Sequence, residues 1–213
     1  MPRTSTSPPG HRDTVRAPRR EEGGQCAPGA PGFTWTGHPG HGPGAELLGG
    51  PRTALELGCA GGDRAAYLAR AGVEVTALDS CADRIARARR RWGGTPGVLF
   101  VRAEARDHLT RAVTTYDAVY SALGAVRRTD PEELVPLAAR RLTPGGTLAL
   151  SRPEPADGHR PGAYGPGRWA DLLGRGGFID IDARVLPSPV PGGAGTLLVH
   201  ARLPGHRTPP AGG

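Results

Sequence analysis

A run of small residues, Gly58-Cys59-Ala60-Gly61-Gly62, follows the apolar stretch Thr53-Ala54-Leu55-Glu56-Leu57. A carboxylate, Asp79, closes the next apolar stretch about 20 residues further on. Glycines after a strand let a ligand approach the backbone closely, and an acid at the tip of the following strand can accept both hydroxyls of a ribose. The pattern therefore implies a nucleoside ligand, and its spacing suits nicotinamide and sulfonium cofactors alike. The dinucleotide fingerprint GxGxxG is not met, because counting from Gly58 puts Ala60 at its second glycine and Asp63 at its third. An Asp carboxylate there would repel a pyrophosphate. A further acid, Glu104, follows the third apolar stretch.

These residues need a scaffold, and the hydrophobic patterning supplies one. Thr53 to Leu57 reads as a buried strand, and Asp63 to Ala71 as an amphipathic helix with Asp63 as N-cap. Val73 to Leu78 is a second strand and Ala82 to Trp92 a helix whose Ile85 and Ala88 face inward. Val98 to Arg102 and Tyr116 to Ser121 are the third and fourth strands. Pro131 to Leu142 forms a helix capped by Asp130 and stopped at Pro144-Gly145-Gly146, before a fifth strand at Thr147 to Ser151. Strands alternating with helices predict a parallel sheet covered on both faces. Phe178 to Leu186 and Gly195 to Arg202 are strands joined only by a Pro/Gly loop, so this last pair must be antiparallel.

With these motifs in place, residues 45 to 203 resemble the class I S-adenosylmethionine-dependent methyltransferase superfamily. Glu56-Leu57-Gly58-Cys59-Ala60-Gly61-Gly62 is similar to that family's ExGxGxG motif, Asp79 matches its ribose-binding acid, and Glu104-Ala105 stands where an Asp-Ala pair meets the adenine. Tyr116 to Ser121 resembles its fourth-strand motif, and Arg141 to Gly146 its Leu-x-Pro-Gly-Gly turn. The resemblance implies a Rossmann-like seven-stranded sheet of order 3-2-1-4-5-7-6 and S-adenosyl-L-methionine as cofactor. It implies a binding site made by Glu56, Gly58, Cys59, Ala60, Gly62, Asp79, Ser80, Glu104, Ala105 and Ser121. Two positions depart from the pattern. Ala60 replaces the middle glycine and is expected to keep φ negative, since Gly61 and Gly62 leave the turn free elsewhere; Glu104 is one methylene longer than the usual Asp.

Methyl transfer from a sulfonium depends mainly on alignment, so no catalytic base is expected; His108, His159 and Tyr164 are the available candidates if an acceptor needs one. The chain has neither an Asn-Pro-Pro-Tyr motif nor a Pro-Cys nucleophile, and its net charge of +7 comes from Arg without a single Lys, alongside 34 Gly and 23 Pro. That composition fits a GC-rich coding bias better than selection for a polyanion, so a small-molecule acceptor is expected and nucleic acid is not. The alternatives are a catalytically inactive cofactor-binding or interaction module on the same fold, and an NAD(P)-binding oxidoreductase. Cys26, Cys59 and Cys81 form no CxxC pair, so neither a metal site nor a disulfide framework is expected. No leader or membrane span is apparent, and the cytoplasm is the expected compartment.

Residues 1 to 44 and 204 to 213 are too poor in large apolar groups to order by burial, and read as disordered tails. Phe33 and Trp35 make residues 33 to 44 the part able to dock on the domain. His38 and His41 read as loop residues, and the segment from Ser151 to Trp169 as a short Gly/Pro-rich lid.

Overall fold

The computed structural model describes residues 32–124, 129–154 and 164–205. Seven strands form one sheet: β1 (Thr53–Leu57), β2 (Glu74–Asp79), β3 (Val98–Arg102), β4 (Tyr116–Ala122), β5 (Leu142–Pro153), β6 (Ile179–Leu186) and β7 (Thr196–Arg202). Their order is β3-β2-β1-β4-β5-β7-β6, with β7 antiparallel to both β5 and β6 and the other pairings parallel. The helices are α1 (Asp63–Arg70), α2 (Ala82–Trp92), α3 (Ala105–Arg111), α4 (Pro131–Ala139) and α5 (Pro166–Arg175), preceded by a 3-10 turn at Ala45–Leu48.

The two-residue period of the strands sorts their side chains into two cores. Leu55 and Leu57 of β1, Val119 of β4 and Leu148 and Leu150 of β5 pack with Leu109, Leu134, Val135, Trp169 and Leu173 from α3, α4 and α5. Ala54, Ala77, Ala118 and Tyr120 point the other way, onto Ala65, Leu68, Ile85 and Trp92 of α1 and α2 and onto Trp35 and Leu48. Small residues dominate the strands of this second face, so α1 and α2 lie close to the sheet. Glu56 shares that face, by alternation with Ala54.

Several boundaries differ from the sequence reading. Asp63 is the first residue of α1, not its cap; the cap is Gly62, at φ +81°, and the Asp63 carboxylate pairs with Arg91 at 3.1 Å. The fourth helix stops at Ala139, and Pro144-Gly145-Gly146 lies inside β5. There the register steps from Tyr116↔Leu142 to Ala118↔Thr147, a bulge that Gly145 permits at φ +80°. The residues just after β7 engage it, Gly145 donating to the Pro204 carbonyl and Leu203 to that of Gly146. Two helices escaped the sequence reading. In α3 only Ala105 and Leu109 are buried, too few positions for a visible period, whereas α5 carries Trp169, Leu172 and Leu173 in helical spacing behind Pro166 at its first turn.

Candidate functional site

Parallel strands β1, β2 and β4 end side by side, and the turn after β1 is drawn over the end of β2. The Leu78 carbonyl accepts from both Gly58 N (2.8 Å) and Cys59 N (2.7 Å), and Asp79 Oδ2 accepts from Ala60 N at 3.0 Å. Asp79 Oδ1 accepts from Cys81 N at 2.9 Å, so one carboxylate fixes both the glycine turn and the start of α2. Arg84 Nη1 stands 3.8 Å from Oδ2. Asp79 is nearly buried, yet each of its oxygens keeps acceptor capacity beyond the one amide it binds.

The turn has left-handed backbone at Gly58 (φ +78°), Ala60 (φ +48°) and Gly62 (φ +81°). The expectation of a negative φ at Ala60 is therefore wrong, and the freedom at Gly61 is not where the chain bends. Two distant partners cause this: the amides of residues 58 to 60 must reach the Leu78 carbonyl and Asp79, and a left-handed residue 60 is what aims them. At Gly62 a Cβ would lie 2.6 Å from the Phe100 ring, so that position requires glycine on space as well as angle.

Glu56 is the group with the least satisfied chemistry. It is fully buried, and neither Oε1 nor Oε2 has a hydrogen-bond partner. Burial pushes its carboxyl up to about 7, against the nearby Arg64 guanidinium, which acts to lower it. Its register partner on β4 is Tyr120, also fully buried, whose hydroxyl is near enough to favour the charged carboxylate but is itself without a bonded partner.

Above Tyr120 lies a strap from the segment that precedes the sheet. Phe33 and Trp35 place their rings 5.8 and 6.1 Å from the Tyr120 ring, and Phe33 also meets Tyr67 of α1 at 5.9 Å. The strap is tied down at three points: Arg64 Nε donates to the Thr34 carbonyl (2.8 Å), Ser151 Oγ to that of Trp35 (2.7 Å), and Trp35 Nε1 to that of Gly44 (2.8 Å). Tyr120, Arg64 and Ser151 were not singled out from sequence. Tyr120 falls within the fourth-strand motif without a role of its own there, no motif marks Arg64 or Ser151, and only the Glu56↔Tyr120 register and the path of the strap bring the three together.

Of the residues expected at the site, Glu56, Gly58, Cys59, Ala60, Gly62, Asp79 and Ser80 cluster at the ends of β1 and β2. Ser121 joins them from β4, its hydroxyl donating to the Leu57 carbonyl at 2.7 Å. A Cβ on Gly124 would lie 2.7 Å from that same carbonyl, so the chain after β4 passes hard against the turn. Glu104 and Ala105 stand beyond the end of β3, where Ala103 N donates to the Asp79 carbonyl; Glu104 is exposed and Ala105 buried. Cys59 is buried with its thiol pushed up, by burial first and then by Glu56 and Asp79, which leaves it unreactive.

The base candidates lie apart from this cluster. His108, lowered by burial and by Arg141, sits near a residue that precedes β5, at the opposite edge of the sheet. Tyr164 is stacked under Arg168 at 3.7 Å and bridges to Glu132, joining α5 to α4. His159 lies outside the described residues. The His38 and His41 rings meet edge-on at 6.3 Å, and among the described residues no group of three potential ligands could hold a metal. Cavities of about 400 and 590 Å³ open at the N-terminal edge of the sheet, around Thr53 and Glu74 and around Arg52 and Pro144. They share no residue with the glycine turn, and neither gathers unpaired polar groups as Glu56 and Tyr120 do.

Residues 54–146 match the family model of a methyltransferase domain, Methyltransf_25. The matched segment contains the glycine turn, Asp79 and β4, and the sheet has the strand order that the resemblance to the class I S-adenosylmethionine-dependent methyltransferases implies. No curated protein matches the sequence. Among solved structures, a putative S-adenosylmethionine-dependent methyltransferase from Listeria monocytogenes is 20% identical with a TM-score of 0.60, over 71% of this chain and 91% of that one. The 1,6-didemethyltoxoflavin-N1-methyltransferase of Burkholderia thailandensis, solved with 1,6-didemethyltoxoflavin and S-adenosylhomocysteine, is 23% identical with a TM-score of 0.57, over 74% and 73%. The [4+2]-cyclase SpnF is 18% identical with a TM-score of 0.59, over 72% and 76%. Identities this low establish a shared fold and leave the reaction to be argued from the site. Among the described residues no helix is long and apolar enough to cross a membrane.

Proposed function

We propose that this protein transfers a methyl group from S-adenosyl-L-methionine to a small-molecule acceptor in the cytoplasm. The observation that carries the reading is the buried, unpaired Glu56 carboxyl beside the glycine turn. Such a group is costly unless a ligand completes it, and it asks for a cation carrying several hydrogens. The methionine end of the cofactor has one in its ammonium group. Asp79 has lone pairs left for ribose hydroxyls, the turn can meet the ligand with backbone alone, and Glu104 with Ala105 stands one strand further on for the adenine.

When bound, the cofactor supplies a methyl group already activated on a sulfonium. The protein's part would be to hold and orient: Asp79 and the turn would fix the nucleoside and Glu56 the opposite end, beneath the strap that covers Tyr120. Alignment of this kind can supply on the order of 7 to 11 kcal/mol of the barrier. His108 and Tyr164 lie apart from the glycine turn, and His159 lies outside the described residues.

The two rival readings fit less well. A nicotinamide dinucleotide would bring its pyrophosphate to the start of α1, where the first residue is Asp63. An inactive module is favoured by the strain at Ala60; residues 155 to 163 of the short lid that bears on the same reading lie outside the described residues. Calorimetry with S-adenosylmethionine, S-adenosylhomocysteine, NAD and NADP separates the readings, with binding expected for the first two alone. Asp79→Ala should weaken S-adenosylhomocysteine by about 1 to 3 kcal/mol, the scale of a lost charged hydrogen bond. Tight NAD binding, or an unchanged dissociation constant in the variant, would overturn the assignment. Turnover of cofactor with a mixture of small acceptors then distinguishes an enzyme from a module.

A further inference from the structure

Resting on that reading, we infer that cofactor binding is coupled to proton release: the ligand's ammonium group replaces a proton on Glu56. The step is balanced simply. The O–H bond of the Glu56 carboxyl breaks, its proton passes to solvent, and the ammonium keeps its three N–H bonds and donates them to the resulting carboxylate and its neighbour.

The geometry sets this up. Three oxygen atoms at one place lack partners: Glu56 Oε1, Glu56 Oε2 and Tyr120 Oη. An ammonium has three donors, so a single group satisfies all three. Glu56 and Tyr120 are fully buried beneath α1 and the Phe33–Trp35 strap, and burial drives the Glu56 carboxyl toward its neutral form although Arg64, the Tyr120 hydroxyl and the Ala65 amide act against it.

The charged and titratable neighbours do not remove the need. From α1 come Arg64 and Asp63: Arg64 directs its Nε to the Thr34 carbonyl, and Asp63 pairs with Arg91. The turn contributes the Cys59 thiol, held neutral, and β4 contributes Tyr120, also held neutral by burial. The strap brings Phe33, Thr34 and Trp35, none of them charged. With the carboxyl at about 7, the free protein near neutrality is divided between its two protonation states, and only the ionised one accepts the ammonium.

The test is calorimetry of S-adenosylhomocysteine binding in buffers of different ionisation enthalpy, which reads protons released per ligand. The full chain should release close to one proton per ligand at the acid end of the range and progressively less as pH rises through neutrality, following the titration of one group. 5′-Methylthioadenosine, which lacks the ammonium, should release none, and neither should Glu56→Gln with S-adenosylhomocysteine. Should that variant not fold, infrared difference spectra of the wild-type protein give the same answer, through loss of the protonated-carboxyl C=O band on binding. Binding of S-adenosylhomocysteine with no buffer dependence overturns the coupling and leaves the cofactor assignment standing, as does equal release in Glu56→Gln. No binding at all overturns both.

Discussion

Ala60 holds φ at +48°, where a Cβ crowds the following carbonyl and only glycine is at ease. A strain of about 1 to 3 kcal/mol is normal for such a residue and persists only where the surroundings over-determine it. Here the Leu78 carbonyl and the Asp79 carboxylate do so, through the amides of residues 58 to 60. Ala60→Gly should therefore raise stability by about 0.5 to 2 kcal/mol, the relieved strain outweighing the roughly 0.4 to 1 kcal/mol lost to a freer unfolded chain. Urea melts read the change, and an equal or lower midpoint means that the turn is not strained. From sequence the five-residue turn was legible as a ligand cradle, and Asp79 as its acid. Which of the five residues turns left-handed was not, because carbonyls and carboxylates brought in by β2 decide it. The roles of Tyr120 and Arg64 were illegible because the register of β4 on β1 and the path of the strap bring them to Glu56.

β1 and β3 have the limits read from the sequence, because each is a short stretch rich in aliphatic residues that begins within two residues of Pro or Gly. The sheet order came with the resemblance, and the antiparallel β6–β7 pair followed from the absence of a helix between them. Pro144-Gly145-Gly146 misled because a helix stop and a strand bulge use the same residues, and only the pairing of β5 with β4 tells them apart. The strap is an element of another kind, a stretch without helix or strand that is held by aromatic contacts and three side-chain hydrogen bonds. Ser151 anchors it from β5, accepting from Leu123 N as well as donating to the Trp35 carbonyl. Ser151→Ala should loosen it at a cost of about 1 kcal/mol, the usual worth of one hydrogen bond. Amide exchange at residues 33–36 should then quicken about fivefold, with β1 and β4 unaffected. Unchanged protection of the strap would mean that the rings alone hold it.

At the scale of the whole molecule, Glu56 ties stability to pH. Burial pushes its folded carboxyl up to about 7 from an ordinary 4.5. A raised acid favours folding only while it stays protonated, so stability is highest below the unfolded value and falls as pH rises through the folded one. Between about pH 4.5 and 7 the unfolded chain sheds a proton that the folded chain keeps, and above 7 the loss is complete at about 3 kcal/mol. Other groups act across the same range. His108 and His200 are lowered, chiefly by burial, and so favour folding as pH rises toward their unfolded value; Asp117, lowered by the amides of Thr53 and Arg52 and the hydroxyls of Thr143 and Thr53, does so at more acid pH. The wild-type curve is thus a composite, and the Glu56 contribution is isolated by difference. Glu56→Gln keeps the shape and removes the titration, and should gain stability over wild type steadily from pH 4.5 to 7, then hold a constant lead. Ligand should reverse the order: saturating S-adenosylhomocysteine stabilises wild type through the carboxylate–ammonium pair that the amide cannot form. Urea melts of both proteins at half-unit steps of pH measure it. A difference that does not vary with pH would place the Glu56 carboxyl in contact with water, and the strap would then not be its roof.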